Sequence, residues 1–314
     1  MSELLKNIDA RTKLAGTNKL EILMFTLGTD NRSGRRETYG INVFKVREVM
    51  RIPEITKAPD MPSCVEGMVS LRGTLVPVID LAKYTNMQTD TKPAIMIVTE
   101  YNRHTQGFLV EAVDTILRLD WASMRVPPEM LNAQMGGLVT AVTELPDKRL
   151  VMMMDVEKVL ADTGQFSVDD FALKNVQPLA VANRTIFFVD DSSVARKQIE
   201  RTLDAMQVRH ISAINGNMAL QELKKMADYA DATHVPLKNL IQLILTDVEM
   251  PEMDGYMLTR KIKEDRRFAG IPVLMHSSLS SDSNQQLGKA VGVDEYVPKF
   301  DPQKLAQTLT RLLS

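Results

Sequence analysis

The second half of the chain alternates five times between a short apolar run and a segment of helical periodicity. The first run, Thr185–Val189, is apolar after its threonine, as expected of a strand buried on both faces. This alternation predicts an α/β unit in which helices cover both faces of a five-stranded parallel sheet. The other predicted strands are His210–Ala213, Leu243–Thr246, Pro272–His276 and Glu295–Val297, and the predicted helices are Ser192–Gln207, Asn217–Met226, Gly255–Asp265, Asn284–Val291 and Pro302–Leu312.

The first half has many short β-like runs separated by Gly, Pro, Asn and Asp, which is typical of an all-β barrel or sandwich. Helical periodicity is confined to Val43–Met50 and Val156–Leu160. We predict a first domain at 1–165, a linker at 166–182 with a helical piece at Ser167–Asn175, and a second domain at 183–314. The predicted strands are 21–27, Tyr39–Val46, Gly67–Leu71, Thr74–Ile79, Ala94–Thr99, Thr105–Val110, Thr115–Leu119, Gly137–Val142 and Leu150–Met154.

Composition excludes several classes of protein. The chain has 314 residues and a formal net charge of −2, so bulk charge gives no indication of nucleic-acid binding. One cysteine, Cys64, rules out an intrachain disulfide and a cysteine-rich zinc site. No apolar run approaches the roughly 18 residues of a membrane span, and the N-terminus does not resemble a secretion signal. We therefore expect a cytoplasmic protein without direct membrane insertion.

Polar side chains follow the strands of the predicted parallel sheet. Asp190 and Asp191 follow its first strand, Asp247 the third, Ser277 the fourth and Lys299 the fifth. The carboxyl ends of parallel strands lie on one edge, where ligands of α/β sheets bind. Three neighbouring carboxylates repel one another unless a cation binds them, and Mg²⁺ suits a shallow site of few protein oxygens.

The same side chains predict phosphoryl chemistry. The Asp247 carboxylate could attack phosphorus and form an acyl phosphate. Mg²⁺ and Lys299 would then neutralise charge on the transferred group. The alternative is that the acidic residues only solvate a loop and that Lys299 lies on the surface. That alternative is reasonable for any one of these residues. It does not explain why all of them follow strands of the same predicted sheet.

Four segments resemble the CheY-like receiver domains of response regulators, which have a flavodoxin-like (βα)5 fold. They are FVDDSS at 188–193, LTDVEMPEMDG at 245–255, PVLMHS at 272–277 and YVPK at 296–299. The resemblance implies that Asp247 is phosphorylated and that Mg²⁺ is bound by Asp190, Asp191, Asp247 and the backbone carbonyl of Glu249. It further implies that Ser277 moves to bind the phosphoryl group. The ring of Tyr296 would act as a switch that transmits this movement to one face of the domain.

Two features depart from the receiver pattern. Phe300 follows Lys299 where the family usually has proline, which leaves the geometry of that turn open. The stretch Lys225–Asn239 is longer than the usual link between the second helix and third strand, and we interpret it as a surface insertion.

The first half resembles the CheW family, whose fold is a paired β-barrel. The main motif is GMVSLRGTLVPVIDL at 67–81, supported by Tyr39–Glu48, Met124–Pro128 and Leu150–Leu160. Domains of this family bind a chemotaxis histidine kinase (CheA-like) and the cytoplasmic tips of chemoreceptors. The combination of the two domains resembles the CheV family of chemotaxis coupling proteins, which implies recruitment to polar chemoreceptor arrays.

Partner-binding residues of the first half are predicted from this resemblance. Arg72 is either a partner contact or an arginine that bridges the two barrels. Val43, Phe44 and Val46 are candidates for an interaction surface, although core packing is the better interpretation for at least half of these three residues. Glu48 is a candidate exposed contact. Trp121 is interpreted as a core residue.

We therefore predict a chemotaxis adaptor, not an enzyme, that is regulated by phosphotransfer from the kinase to Asp247; the receiver would promote only its own phosphorylation and dephosphorylation. A phosphate sink with a purely scaffolding first domain is the main alternative. An aspartyl-phosphate hydrolase is disfavoured, because the acceptor follows the third strand and not the first. A DNA-binding response regulator is disfavoured because the sequence contains no helix-turn-helix or basic face.

Overall fold

The computed structural model describes residues 19–57, 59–101, 104–128, 130, 135–164, 173, 176–179, 183–277, 288–299 and 301–313. Contacts divide the chain into two compact units. The N-terminal unit consists of Leu20–Leu119 and Met124–Gln165, and the C-terminal unit contains Phe166–Ser314 together with Asp120–Ser123. Within the described ranges, no helix is both long and apolar enough to cross a membrane.

The N-terminal unit contains two five-stranded sheets, which confirms the all-β prediction. One sheet has the order β8-β1-β2-β10-β9 and the other the order β3-β6-β7-β5-β4. The strands are β1 Lys19–Thr26, β2 Thr38–Asn42, β3 Val46–Arg51, β4 Val65–Leu71, β5 Thr74–Asp80, β6 Ile95–Tyr101, β7 His104–Val110, β8 Ala112–Asp120, β9 Val139–Glu144 and β10 Leu150–Met154. Two short helices, α1 Leu81–Tyr84 and α2 Val156–Asp162, follow β5 and β10.

The helix predicted at Val43–Met50 is wrong. Val43–Lys45 forms a single 3₁₀ turn, which Asn42 caps by accepting a hydrogen bond from the backbone N–H of Phe44 at 3.0 Å. The chain then continues as β3, which pairs antiparallel with β6. Val43, Val46 and Val49 recur every third residue, which suits a helix, but β-branched valine also fits a pleated sheet. Pairing with a distant strand decides the structure here, with a register shift between Val46 and Glu48.

The C-terminal unit is built on one sheet of order β12-β11-β13-β14-β15, in which every neighbouring pair is parallel. This confirms the predicted α/β architecture. The strands are β11 Thr185–Val189, β12 Arg209–Ala213, β13 Leu243–Thr246, β14 Val273–Ser277 and β15 Glu295–Pro298, and the helices are α3 Ser193–Ala205, α4 Gly216–Thr233, α5 Gly255–Glu264 and α6 Pro302–Leu313. Of the helix predicted at Asn284–Val291, residues 288–291 are helical and 284–287 lie outside the described residues.

Two apolar cores lie on opposite faces of this sheet, and they explain the apolar run of β11. Phe187 and Val189 belong to the core that includes buried residues of α4 and α5. Ile186 and Phe188 belong to the core that includes buried residues of α3 and α6. Alternate residues of a strand point to opposite faces, so a strand covered on both sides is apolar throughout.

The predicted insertion at Lys225–Asn239 is largely helix, because α4 continues to Thr233. Ala227 and Ala230 extend its buried stripe, and the helix is capped at its C-terminus by His234, which adopts a left-handed conformation with φ of 55°.

Described residues of the predicted linker contribute to the C-terminal unit. Val176 is 8% exposed within the core shared by α3 and α6, and Leu173 and Leu179 pack against that core. The backbone N–H of Leu179 also donates to the carbonyl of Met206 at 2.9 Å. The helix predicted at Ser167–Asn175 lies, except for Leu173, outside the described residues.

Candidate functional site

The carboxyl-terminal edge of the parallel sheet brings the predicted polar residues together. Asp190 follows β11, Asp247 follows β13, Ser277 is the last residue of β14, and Lys299 follows β15. All four are buried, with exposed fractions of 0%, 3%, 0% and 2%. The alternative in which Lys299 is a surface lysine is therefore wrong.

Lys299 forms two buried ion pairs at this edge. Its Nζ lies 2.8 Å from Oδ2 of Asp190 and 3.0 Å from Oδ2 of Asp247. The half-buried Asp191 completes the cluster, and one carboxylate oxygen from each of the three aspartates lies within 4.8 Å of the others. Three carboxylates beside one ammonium leave an excess of two negative charges, which a divalent cation would balance.

Short backbone contacts fix the two buried carboxylates. Oδ1 of Asp190 accepts from the backbone N–H of Ser192 at 2.9 Å, and Oδ1 of Asp247 accepts from that of Val248 at 2.7 Å. In each aspartate the other oxygen, Oδ2, meets Lys299. The carboxylates are therefore oriented by their own loops before any ligand binds.

Gly255, the first residue of α5, lets that helix approach the Asp247 peptide. A Cβ atom at this position would lie 2.0 Å from the carbonyl oxygen of Asp247, which is a severe overlap. The Gly255 N–H also donates to the carbonyl of Val248 at 2.9 Å. A residue without a side chain is required for this close approach.

Ser277 and Tyr296 lie on neighbouring strands beside the cluster. The Tyr296 ring packs against Val248, Tyr256 and Met275. Burial is the main cause that raises the pKa of Tyr296 to about 12, and the polar groups of Ser277 and Tyr256 oppose this effect. The phenol is therefore neutral at physiological pH and sits next to the hydroxyl of Ser277.

Two predicted features of the site stay predictions. Glu249 is buried, at 8% exposure, two residues after Asp247, but the role of its carbonyl as a metal ligand is untested. Phe300 lies outside the described residues, so the turn after Lys299 is not described.

Sequence reasoning missed Arg196. Its Nη1 donates to the backbone carbonyls of Asp190 and Asp191, both at 2.9 Å. In the sequence, its role is indicated only by its place in the first turn of the helix that follows the acidic pair. An arginine at such a position is usually interpreted as a solvated charge.

In the N-terminal unit, Arg72 lies at the turn between β4 and β5 with φ of 49°. Its side chain is 75% exposed and forms an ion pair with Glu48 at 3.0 Å. Glu48 lies in β3, and Arg72 lies between β4 and β5, which are strands of the same sheet. The ion pair therefore does not link the two sheets, whereas the bridging alternative predicts such a link.

The other candidate contacts of this unit differ in exposure. Val43 is only 6% exposed, which favours the core-packing interpretation over a contact surface. Phe44 is half-buried, and Glu48 is half-buried beside Arg72. Trp121, which belongs to the C-terminal unit, is buried, as predicted, at 7% exposure.

Comparisons with known proteins agree with both units. The model of the CheW-like domain matches residues 21–164, and the model of the response regulator receiver domain matches residues 186–310. "Chemotaxis protein CheV3" of Helicobacter pylori is 30% identical over 282 residues, which cover 88% of each chain. The chain belongs to the CheV family. A second member, "Chemotaxis protein CheV1" of the same bacterium, is 28% identical and aligns over 100% of this chain and 99% of its own.

A single-domain relative matches the first half alone. "Chemotaxis protein CheW" of Klebsiella aerogenes is 30% identical over 164 residues, which cover 51% of this chain and 94% of its own. As a CheV-family member, the chain is a chemotaxis adaptor that couples receptors to the histidine kinase, and phosphorylation of its receiver domain regulates it. The predicted function is thereby confirmed at this level.

Proposed function

We propose that Asp247 is the residue through which phosphotransfer from the kinase regulates coupling. The observation that carries this proposal is the buried Asp247 carboxylate, held 3.0 Å from the Lys299 ammonium within a cluster of three aspartates. A carboxylate oriented beside a fixed cation can act as a nucleophile toward an anionic phosphoryl group, because the cation offsets the repulsion.

In the proposed step, a carboxylate oxygen of Asp247 forms a bond to phosphorus. The bond between phosphorus and the histidine nitrogen of the kinase breaks, and that nitrogen keeps the electron pair. The Lys299 ammonium, already within 3.0 Å of Asp247, stabilises the charge on the phosphoryl oxygens. Hydrolysis of the acyl phosphate returns the carboxylate, so the domain promotes its own phosphorylation and dephosphorylation and acts on no other substrate.

Asp190, Asp191 and Asp247, with the Glu249 carbonyl, would hold Mg²⁺ in this proposal. The donor set fits, because hard oxygen ligands from three carboxylates lie within 4.8 Å of one another. When bound, the ion supplies positive charge to the phosphoryl oxygens in the transition state.

Ser277 and Tyr296 have the proposed role of a switch. The Ser277 hydroxyl would donate to a phosphoryl oxygen on Asp247, and the neighbouring Tyr296 ring would respond to that shift. This proposal is supported by the position of Ser277 at the end of β14 and by the packing of Tyr296 against Val248 and Met275.

In the CheW-like domain, we assign partner contact to Arg72, Glu48 and Phe44. The turn between β4 and β5 supports this, since it presents the 75% exposed Arg72 side chain and is followed in β5 by Leu75, which is 68% exposed. We place the domain boundary at the start of the segment 166–182, because the matched range 21–164 ends just before it and Leu173, Val176 and Leu179 contribute to the C-terminal unit. Coupling to the cytoplasmic tips of receptors requires a cytoplasmic location. We propose that the protein is recruited there to polar receptor arrays.

Incubation with radiolabelled phosphorylated kinase and Mg²⁺ tests the acceptor. Wild type should be labelled and Asp247→Asn should not be. Asp204→Asn is a matched control, because Asp204 is an exposed aspartate of α3, and it should be labelled like wild type. Full labelling of Asp247→Asn would reject the assignment.

Kinase activity in receptor arrays tests the regulation. Arrays with wild type should respond to phosphorylation and arrays with Asp247→Ala should not. Equal activity under all stimuli would leave only a scaffold, and faster loss of phosphate from the kinase without altered coupling would favour the phosphate sink.

A further inference from the structure

We propose that Arg196 is a positioning residue that fixes the direction of the Asp191 side chain, and thereby the cation affinity of the acidic cluster. The inference rests on the proposed function, since it concerns the same Mg²⁺ site. Arg196 makes no contribution to the chemistry of phosphoryl transfer in this proposal.

The Arg196 side chain donates two hydrogen bonds to consecutive backbone carbonyls, an arrangement that we call the fork. Nη1 of Arg196 donates to the carbonyl oxygen of Asp190 and to that of Asp191, each at 2.9 Å. The carbonyl of Asp190 belongs to the peptide plane before the Asp191 Cα, and the carbonyl of Asp191 belongs to the plane after it. Because peptide groups are planar, holding both carbonyls holds both planes and so the direction of the Cα–Cβ bond of Asp191.

Asp191 is the member of the cluster that lies between the two carbonyls held by Arg196. Asp190 and Asp247 are buried, and both are tied to Lys299 and to a backbone N–H. Asp191 is half-buried in a loop of three residues between β11 and α3. Small rotations of that loop would move its carboxylate out of reach of a cation bound by the other two.

Charge and position act in opposite directions at Arg196, which makes them separable. A guanidinium near a cation site repels the cation, so removing its charge should tighten Mg²⁺ binding if electrostatics were its only influence. Removing the fork should weaken binding if positioning dominates. Loss of a group that orients metal ligands typically lowers metal affinity by about 10-fold to 100-fold.

Titration calorimetry of Mg²⁺ into the full-length protein tests this inference. For Arg196→Gln we expect a dissociation constant about 10-fold higher than that of wild type. Arg196→Lys keeps the charge but replaces the rigid, planar guanidinium, whose Nη1 donates to both carbonyls, by a flexible ammonium, so its constant should also rise. Lys197→Gln removes the neighbouring exposed charge of α3 and should leave the constant unchanged. Circular dichroism in EDTA verifies that each variant is folded.

An unchanged or lower dissociation constant for Arg196→Gln would overturn the inference, as would an equal rise for Lys197→Gln. If Arg196→Gln does not fold, the result for Arg196→Lys decides in the same way. Labelling of Arg196→Gln at saturating Mg²⁺ should return to the wild-type rate, and a persistent defect would contradict a role confined to the cation site.

Failure of the proposed function has a different signature. Wild type would then bind no Mg²⁺, or Asp191→Asn would bind it as well as wild type does. Mg²⁺ binding by wild type that Asp191→Asn weakens, combined with unchanged binding by Arg196→Gln, would reject only the role of Arg196.

Discussion

Replacing Lys299 by methionine should destabilise the receiver domain, and added Mg²⁺ should reverse much of the loss. Lys299 is 2% exposed and contacts the equally buried carboxylates of Asp190 and Asp247 at 2.8 and 3.0 Å. Methionine has a similar length, so little volume is lost. Removing one partner of a buried ion pair costs about 3–5 kcal/mol, because the charge that remains is uncompensated.

A divalent cation bound by the same carboxylates supplies the missing positive charge. We therefore expect the loss for Lys299→Met to fall to less than about half in saturating Mg²⁺, and the variant to bind Mg²⁺ more tightly than wild type does. Hydrogen–deuterium exchange of peptides from β11 and β13 measures the free energy of opening in this domain alone. Lys261→Met, which removes an exposed lysine of α5, is the matched control and should change the free energy by less than about 0.5 kcal/mol.

The charge argument is refuted if the loss for Lys299→Met has the same size with and without Mg²⁺. The cost would then come from packing. The double variant Lys299→Met/Asp190→Asn provides a second check, since it removes one of the two uncompensated charges. It should be more stable than Lys299→Met in EDTA, and a purely additive loss would contradict coupling between the two residues.

Three further predictions concern the same domain. Gly255→Ala should reduce the labelling rate of Asp247 and lower the free energy of unfolding by about 1–3 kcal/mol, because the new Cβ would lie 2.0 Å from the Asp247 carbonyl oxygen. Gly288→Ala is the matched control and should be tolerated, because its Cβ would meet its nearest neighbours at 3.6 Å. The pKa of Tyr296 is raised to about 12 from 10.0, so the stabilisation it gives is complete below pH 10 and is lost as pH rises toward 12; denaturation midpoints over that range should fall less for Tyr296→Phe than for wild type. Val176→Asp should lower the free energy of unfolding of the receiver domain by more than about 2 kcal/mol in exchange experiments, because Val176 is 8% exposed in its core, and wild-type stability would show that this segment is only a tether.

The candidate site was predictable because it depends on topology more than on detail. Once five strands are known to run parallel, the residues after β11, β13, β14 and β15 must lie at one edge. The ion pairs of Lys299 with Asp190 and Asp247 are a direct consequence of that order. Errors of one or two residues at strand ends do not alter this reasoning.

Local patterns failed where distant contacts or small residues decide the structure. Val43–Met50 has an apolar pattern that suits a helix as well as a strand, and pairing of β3 with β6 selects the strand. The length of α4 was underestimated because its last buried positions are Ala227 and Ala230, which give a weak apolar signal. Both alanines are nevertheless buried against the sheet, and so they continue the helix.

Contacts from side chains to backbone carbonyls are the part of the site that no residue pattern could reveal. An ion pair can be predicted from sequence when a carboxylate and a lysine both follow strands of one parallel sheet, as Asp247 and Lys299 do. The acceptors of Arg196 are main-chain oxygens, which every residue has, so they leave no trace in the sequence. The same holds for the close approach of Gly255 to the Asp247 carbonyl. The sequence therefore identifies the groups that carry charge at the site, whereas the structure is needed to identify the groups that hold them in place.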